Sequence, residues 1–299
     1  MNEKIRNKAE KWFNRLERWG CLKILSDRLF LKIKYRLKFN KKLNLKNPKT
    51  FSEKLQWIKL NDRKAIYSKM VDKFESKTIV SEKIGAEYVV PCLGGPWYSF
   101  DEIDFDRLPD KFVLKTNHDS GGVVICKDKK TFDFKKAEET LKKHLKNNYY
   151  WSGREWPYKS VKPCIFAEEY LDDNSGDAIY DFKFFCFNGV PKIMYLSRDK
   201  SQTPRTDFFD MEYNRLNMRM RDPNSEVAPE KPERFDEMRK IATLLSANIP
   251  HIRVDFYMVG EKLYVGEMTF FHCGGFVSIK PDSWDSIMGE WIKLPTNHI

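Results

Sequence analysis

Apolar positions along the chain fall into a few clear rhythms. Ile5, Ala9, Trp12, Phe13, Leu16 and Trp19 follow the i, i+4, i+7, i+8 spacing of one helical face. Lys4, Lys8, Lys11, Arg15 and Arg18 repeat along a second stripe of the same segment. In PKTFSEKLQWIKL (48–60), Thr50 and Glu53 have capping-box spacing ahead of Leu55 and Ile58, which predicts a helix start. A further helix is expected over 71–84, then a Pro/Gly-rich connection, PCLGGPW. FVLKT (112–116) and VVICK (123–127) read as short strands separated by Asn117-His118-Asp119-Ser120-Gly121-Gly122. Phe134, Ala137, Leu141 and Leu145 have helical spacing, and CIFAEEYL (164–171) reads as a strand entering an acidic turn. YDFKFFCF (180–187) and PKIMYLS (191–197) flank Asn188-Gly189, a hairpin signal. Residues 199–234 are polar and irregular and are expected to form a long surface excursion. A helix from about Pro232 is marked by Phe235, Met238, Ile241, Ala242 and Leu245. Two β-rich runs, HIRVDFYM and KLYVGEMTFF, then meet at Val259-Gly260-Glu261. Strand pairs mixed with helices favour α+β or α/β over an all-helical fold.

Composition narrows the class. The 299 residues are 41% hydrophobic and 14% aromatic, enough for one large domain or two and too apolar for a disordered chain. No apolar run approaches the length of a membrane span, and the charged start lacks the apolar stretch of a secretory signal. A cytoplasmic protein is therefore expected. Cys21, Cys92, Cys126, Cys164, Cys186 and Cys273 form no C-x-x-C pair and are expected to be reduced, and the five histidines form no H-x-x-x-H pair.

Charge changes the picture more. The formal net charge is +11, but residues 1–50 carry +12 and the rest −1. The basic surplus belongs to the N-terminal appendage, whose first segment is the amphipathic helix. That helix, with its tryptophans, suits an anionic membrane surface, or else it docks on the protein's own core with its basic side in water. Nucleic-acid binding is disfavoured because the body adds no basic surplus.

Two places concentrate chemistry. In 251–258, Ile252, Val254, Phe256 and Met258 share one face, and Arg253 and Asp255 the other. A turn centred on Glu261 sets Asp255 opposite Glu267, with Thr269 on the same face. Opposed carboxylates repel unless a cation such as Mg²⁺ lies between them; the alternative is an exposed face of solvated charges. In the other place, Lys115 ends a strand just before N-H-D-S-G-G. There Ser120, Gly121 and Gly122 could bring backbone N–H groups to phosphate oxygens, or form an ordinary turn.

Val71-Asp72-Lys73, F-V-L-K with its glycine loop, A-E-E-Y-L, R-V-D-F and G-E-M-T, taken in this order, resemble the ATP-grasp superfamily. NPKTFSEKLQW, EKIGAEYVVP, LPDKFVLKTNH, FAEEYL, YDFKFFCFNG, RVDFY and GEMTFF are similar to its TupA-like branch, over about residues 47–275. The resemblance implies an α+β ATP-grasp fold whose two lobes clamp ATP. It divides the chain into a basic helical extension (1–50), an N-terminal region (51–110), a lid with the glycine loop (111–171) and a C-terminal part with the metal hairpin (172–299). By motif, Lys73, Lys115 and Lys183 would serve the nucleotide, and Ser120-Gly121-Gly122 would cover its β- and γ-phosphates. Glu168 would accept from the adenine amino group, with the backbone of Glu169, Tyr170 and Leu171 at the ring edge. Asp255 and Glu267 would hold Mg²⁺, and Arg253 would stabilise the transferring phosphoryl group. Thr269 stands where many relatives place a metal-binding Asn, which puts a second metal site in doubt.

The reaction so implied joins an amino acid or amine to a carboxylated sugar, such as a uronic acid of a surface polysaccharide, through an acylphosphate. A lipid-linked acceptor would explain a basic helix (residues 1–46) at the inner face of the plasma membrane. Trp151, Arg154, Tyr158 and Arg198 are expected on the acceptor side. Two rivals remain: a glycosyltransferase, for which Asp104-Phe105-Asp106 is the one formal D-x-D match, and a nucleotide-binding scaffold at the membrane.

Overall fold

The computed structural model describes residues 2–172, 180–198 and 204–295. The chain begins with α1 (Glu3–Arg18) and α2 (Asp27–Phe39), then α3 (Phe51–Asn61), α4 (Ile66–Val71) and α5 (Ser76–Ile84). Strands β1 (Cys92–Trp97), β2 (Phe112–Thr116) and β3 (Val123–Cys126) precede α6 (Phe134–Leu145), α7 (Tyr150–Gly153) and β4 (Ile165–Glu169). The rest comprises β5 (Asp181–Phe187), β6 (Val190–Arg198), β7 (Arg205–Phe209), α8 (Phe235–Ser246), β8 (His251–Val259), β9 (Lys262–Thr269) and α9 (Ser283–Trp291). Two antiparallel sheets result, in the orders β1-β4-β2-β3 and β7-β6-β5-β8-β9. The mixed α+β expectation holds. Among the described residues no helix is long and apolar enough to cross a membrane.

Each sheet buries one side under a helix. Ala137 and Leu141 of α6 pack on Phe112, Leu114, Ile165 and Ala167 of the first sheet. Phe235, Met238, Ala242 and Leu245 of α8 pack on Phe184, Ile252, Val254 and Phe256 of the second. On the second sheet's other side, Phe51 of α3 meets Phe185, Phe187 and His251. The expected capping box starts α3: the Thr50 hydroxyl accepts from the Glu53 N–H, and Glu53 accepts from the Thr50 N–H. Asn188 and Gly189 take positive φ values of 49° and 81°, the geometry that folds β5 back onto β6.

Three expectations need correction. The helix read over 71–84 begins only at Ser76, as α5, because α4 ends at Val71. The Asp72 carboxylate accepts from the Phe74 and Glu75 N–H groups at 2.9 and 3.1 Å, an Asx-type cap that turns the chain out of α4 and restarts it as α5. PCLGGPW is not a connection but β1, an edge strand whose register shifts on both sides of Gly94; an edge tolerates the proline and glycines that hid it. The polar excursion contains β7, whose Phe208 and Phe209 are buried against the second sheet; residues 199–203 of that stretch lie outside the described residues.

The N-terminal segment is docked on the body. Phe13 of α1 meets Phe30 of α2 with ring centroids 5.3 Å apart, inside a small core with Leu31, Tyr35 and Leu43. Asp27 bonds Tyr150 and Arg63 at 2.5 and 3.2 Å, and Lys34 donates to Glu17 and to the Ser152 carbonyl.

Candidate functional site

The β8–β9 register pairs Asp255 with Glu267 and Arg253 with Thr269, as the alternation predicts. A solvated face is ruled out, since Asp255 is 1% and Arg253 7% exposed. On the other flank, β5 places Lys183 opposite Asp255. The Arg253 guanidinium donates to both Asp255 oxygens at 2.6 and 2.7 Å, to Glu267 at 2.8 Å and to the Thr269 hydroxyl at 3.1 Å. Lys183 donates to Asp255 at 2.8 Å and also to Asp181. The bare repulsion expected of the two carboxylates is therefore absent, because arginine and lysine fork into the pair. Burial raises the Asp255 carboxyl against the pull of Arg253 and Lys183. Both its oxygens are bonded to cationic side chains. Glu267 is half-exposed; what burial it has opposes its charge, but Lys73, Arg253 and Lys183 outweigh it and bring its carboxyl down to about 2.

His272 completes this centre and was not singled out in the sequence. Burial, and then the neighbouring Arg253, keeps its ring neutral, and its Nδ1 accepts from Arg253 at 2.7 Å. The Tyr195 hydroxyl accepts from the same guanidinium nitrogen at 3.4 Å. Arg253 thus has its donors spread over four side chains besides Asp255, which fixes the plane of its fork. A divalent cation fits the donor chemistry, since Asp255, Glu267 and Thr269 offer only oxygen. No group of three or more His, Cys, Asp or Glu side chains with metal-binding placement occurs among the described residues. A cation held by the two carboxylates would need phosphate oxygens or water to fill its shell.

The second cluster surrounds the β2–β3 loop. The chain break at Asp72 delivers Lys73 to it: the Lys73 N–H donates to the Asn117 carbonyl at 2.9 Å, and its Nζ donates to the Asp119 carbonyl at 2.6 Å. Asn117 returns a bond to Asp72 at 2.7 Å. Asp119 accepts from Thr116 at 2.5 Å and is bonded to His144. Ser120 and Gly121 stay exposed at the tip, and Gly121 has φ 96°, a value that favours glycine. A methyl at Gly122 would fall 1.8 Å from the Thr116 hydroxyl, so the last loop residue must be glycine for packing.

Lys115 and Glu168 meet across β2 and β4 as an ion pair, with Lys77 of α5 at 2.6 Å from the same carboxylate. Burial opposes the Glu168 charge, but the two ammonium groups more than compensate and hold its carboxyl below the usual range. Lys77 was missed in the sequence, because only the placement of α5 beside β4 brings it to Glu168. The Glu169 N–H donates to the Pro91 carbonyl at 3.0 Å, and the Tyr170 ring lies between Lys111 and Lys127. Leu171 is half-buried.

A cleft of about 450 Å³ separates this loop from the N-terminal segment. Trp19, Lys23, Ser120, Lys146, Tyr149 and Trp151 are among its walls. Of the expected acceptor residues, Trp151 lines it. Arg154 does not: it is 2% exposed and donates to the Leu22 carbonyl at 2.7 Å, with its guanidinium over Phe30 and Trp151. A left-handed backbone at Arg154 turns it inward, where it holds α2 to the body. Tyr158 is half-buried against Tyr149, and the Arg198 side chain lies outside the described residues.

A family model, TupA-like ATPgrasp, matches residues 53–293. No curated protein matches the chain. Similar solved structures include D-alanine–D-alanine ligase from Bacillus anthracis, at 16% identity and TM-score 0.43, covering 82% of this chain and 69% of that one. The Helicobacter pylori enzyme of the same name shows 12% identity and TM-score 0.44, covering 81% and 69%. The biotin carboxylase domain of Hydrogenobacter thermophilus 2-oxoglutarate carboxylase, in complex with MgADP and bicarbonate, shows 14% identity and TM-score 0.40, covering 76% and 47%. The chain spans 55% of the ATP-complexed B. anthracis ligase.

Proposed function

Because the chain belongs to the TupA-like ATP-grasp family, we propose that it is an ATP-dependent, ADP-forming ligase that joins a carboxylate to an amine. The observation that carries this reading is the buried Arg253–Asp255–Lys183 fork beside Glu267, with Lys73 acting on Glu267 from the side of the glycine loop. The site is made of cations, carboxylates and backbone N–H groups. Such a site works by positioning and charge neutralisation, which is what phosphoryl transfer to a carboxylate needs.

In this reading an acceptor carboxylate oxygen attacks the γ-phosphorus of ATP, the bond to the β-phosphate oxygen breaks, and ADP leaves. The amine then attacks the acyl carbon, phosphate departs with the C–O bond electrons and takes up the proton the nitrogen loses, and an amide remains. Arg253 and Lys183 neutralise the oxygens that gain charge, and Lys73 and Lys115 hold the phosphates against the loop. Asp255 and Glu267, with Thr269 beside them, would hold Mg²⁺, which would shield the phosphate charge when bound.

The acceptor reading rests on the cleft. Trp19 and Trp151 line it with cationic side chains over their rings, Arg15 on Trp19 and Lys23 and Arg154 on Trp151, and Lys23, Lys146 and Arg18 have no carboxylate partner among the described residues. That combination suits a carboxylated saccharide such as a uronic acid. The glycosyltransferase alternative gains no support: Asp104 caps the Asp106 N–H and pairs with Arg107 on an exposed turn. The test measures ADP release with Mg²⁺, pooled amino acids and glucuronate- or galacturonate-containing acceptors, with hydroxylamine as a trap. ADP and a hydroxamate are expected, and reducing the uronic acid to its neutral sugar should stop both. Turnover that needs a nucleotide-sugar and not ATP would overturn the reading.

A further inference from the structure

The outer face of α1 lies outside the charged centre described above, and only its last residues, Arg18 and Trp19, reach the cleft. Although the sequence pattern places Trp12, Trp19 and Phe13 on one apolar side, the structure divides them. Phe13 turns in against Phe30 and is 8% exposed. Ile5, Trp12 and Trp19, spaced seven residues apart, face solvent at 61, 51 and 59% exposure. Ile24, on the turn that follows, is 91% exposed.

Charge is sorted in the same sense. Glu3, Glu10 and Glu17 share another seven-residue row. Glu10 and Glu17 of that row are paired with Lys38 and Lys34 of α2, at 3.8 and 2.7 Å. Lys4, Lys11 and Arg18 form one outer row and Lys8 and Arg15 another; all five are exposed and none pairs with a carboxylate among the described residues. Arg15 lies over both tryptophan rings, 5.5 Å from Trp12 and 4.6 Å from Trp19. Acids are thus spent on holding α1 to the body, and bases rim an exposed apolar line. A helix merely covering a core would have no reason to expose its tryptophans. A phosphate-binding helix would gain nothing from Ile5 and Ile24.

We propose that this face docks the protein on an anionic lipid surface. Ile5, Trp12, Trp19 and Ile24 would enter the interface, and the five bases would meet lipid phosphates. Docking on acidic lipid needs both features at once, and residues 1–50 hold the basic surplus, +12 against −1 for residues 51–299. Trp19 also lines the cleft beside the glycine loop, so docking would bring the cleft's mouth toward the lipid.

The test uses the full chain and co-sedimentation with phosphatidylcholine vesicles, with and without phosphatidylglycerol. Binding is expected only with the anionic lipid and should weaken at high salt. Replacing Lys4, Lys8, Lys11 and Arg15 together by Gln should lower partitioning about a hundredfold or more. Trp12→Ala with Trp19→Ala should lower it about tenfold. All six side chains are exposed, so unchanged thermal melts would certify the fold of both variants. The proposal falls if the intact chain ignores anionic vesicles, if the charge variant sediments like the parent, or if the face instead captures RNA or a second copy of the chain.

Discussion

The β8–β9 hairpin and the β2–β3 loop both gather charge, but they neutralise it by opposite means. In the hairpin, each carboxylate already touches a cation: Asp255 has Arg253 and Lys183, and Glu267 has Arg253. The cluster is mostly buried and its geometry is set before any ligand arrives. At the loop, Lys73 is satisfied by a backbone carbonyl and the tip, Ser120-Gly121, stands in water. Behind the loop, at the end of β2, Lys115 and Lys77 both pair with the buried Glu168. In the function proposed above, the hairpin would serve as a prebuilt reaction centre and the loop as a cover that a polyanion completes.

The sharpest way to break this contrast is at the hairpin carboxylates. Asp255→Ala or Glu267→Ala should lower ligase turnover by about a thousandfold or more, since the cation and the phosphoryl group lose their anchor together. Persistent ADP release in both variants would move the reaction centre elsewhere. Asp255→Asn separates stability from chemistry. Two opposed carboxylates alone would be relieved by it, but here it removes the one buried carboxylate that Arg253 and Lys183 share, leaving Arg253 to Glu267 and Lys183 to Asp181. A loss of about 3–5 kcal/mol in urea unfolding is expected. An unchanged midpoint would mean that those remaining partners suffice for Arg253 and Lys183.

How far the sequence foretold these two regions follows from how local their causes are. Alternation along β8 and β9 and a short turn were enough to oppose Asp255 and Glu267, because a hairpin's register is decided by its own residues. The capping box at Thr50 and the Asn188-Gly189 turn were legible for the same reason. The cations that change the meaning of the hairpin were not. Lys183 comes from β5, Tyr195 from β6 and His272 from beyond β9, and only the sheet order brings them together. Arg154 looked like a surface arginine because nothing near it in sequence announces that α2 will close over it. The break at Asp72 was hidden by good helical periodicity on both sides, and was decided by one side chain capping two N–H groups.

A smaller effect tests the loop side. Lys115→Ala should weaken binding of a non-hydrolysable ATP analogue by about 1.5–3 kcal/mol, the loss of one charge-assisted contact. Lys77→Ala removes the other partner of Glu168 without a place at the loop, so it should cost less affinity and chiefly perturb the sheet. Calorimetry on both variants distinguishes them. Equal losses would mean that the pair acts only by holding Glu168, and a loss below about threefold at Lys115 would remove it from the nucleotide site.

The smallest expected effect is in the acid limb of stability, and it compares the two regions directly. Glu168 and Glu267 both have carboxyls held below the usual range, Glu267 at about 2. For each, the unfolded chain takes up its proton first as the pH falls, so the folded form is favoured above the unfolded value and that advantage fades on acidification. For Glu267 the window runs from the ordinary glutamate range down to about 2. Glu168 is 5% exposed and clamped by two lysines, whereas Glu267 is half-exposed and open to salt. Glu168→Gln should therefore flatten the acid limb at any ionic strength, and Glu267→Gln should flatten it mainly in dilute buffer. Urea midpoints from neutral pH down to about pH 3, at two salt concentrations, give the comparison. If salt weakens the Glu168 contribution as much as the Glu267 one, the loop-side pair is as open to solvent as the hairpin's outer carboxylate, and the contrast between a clamped pair and an open one is lost.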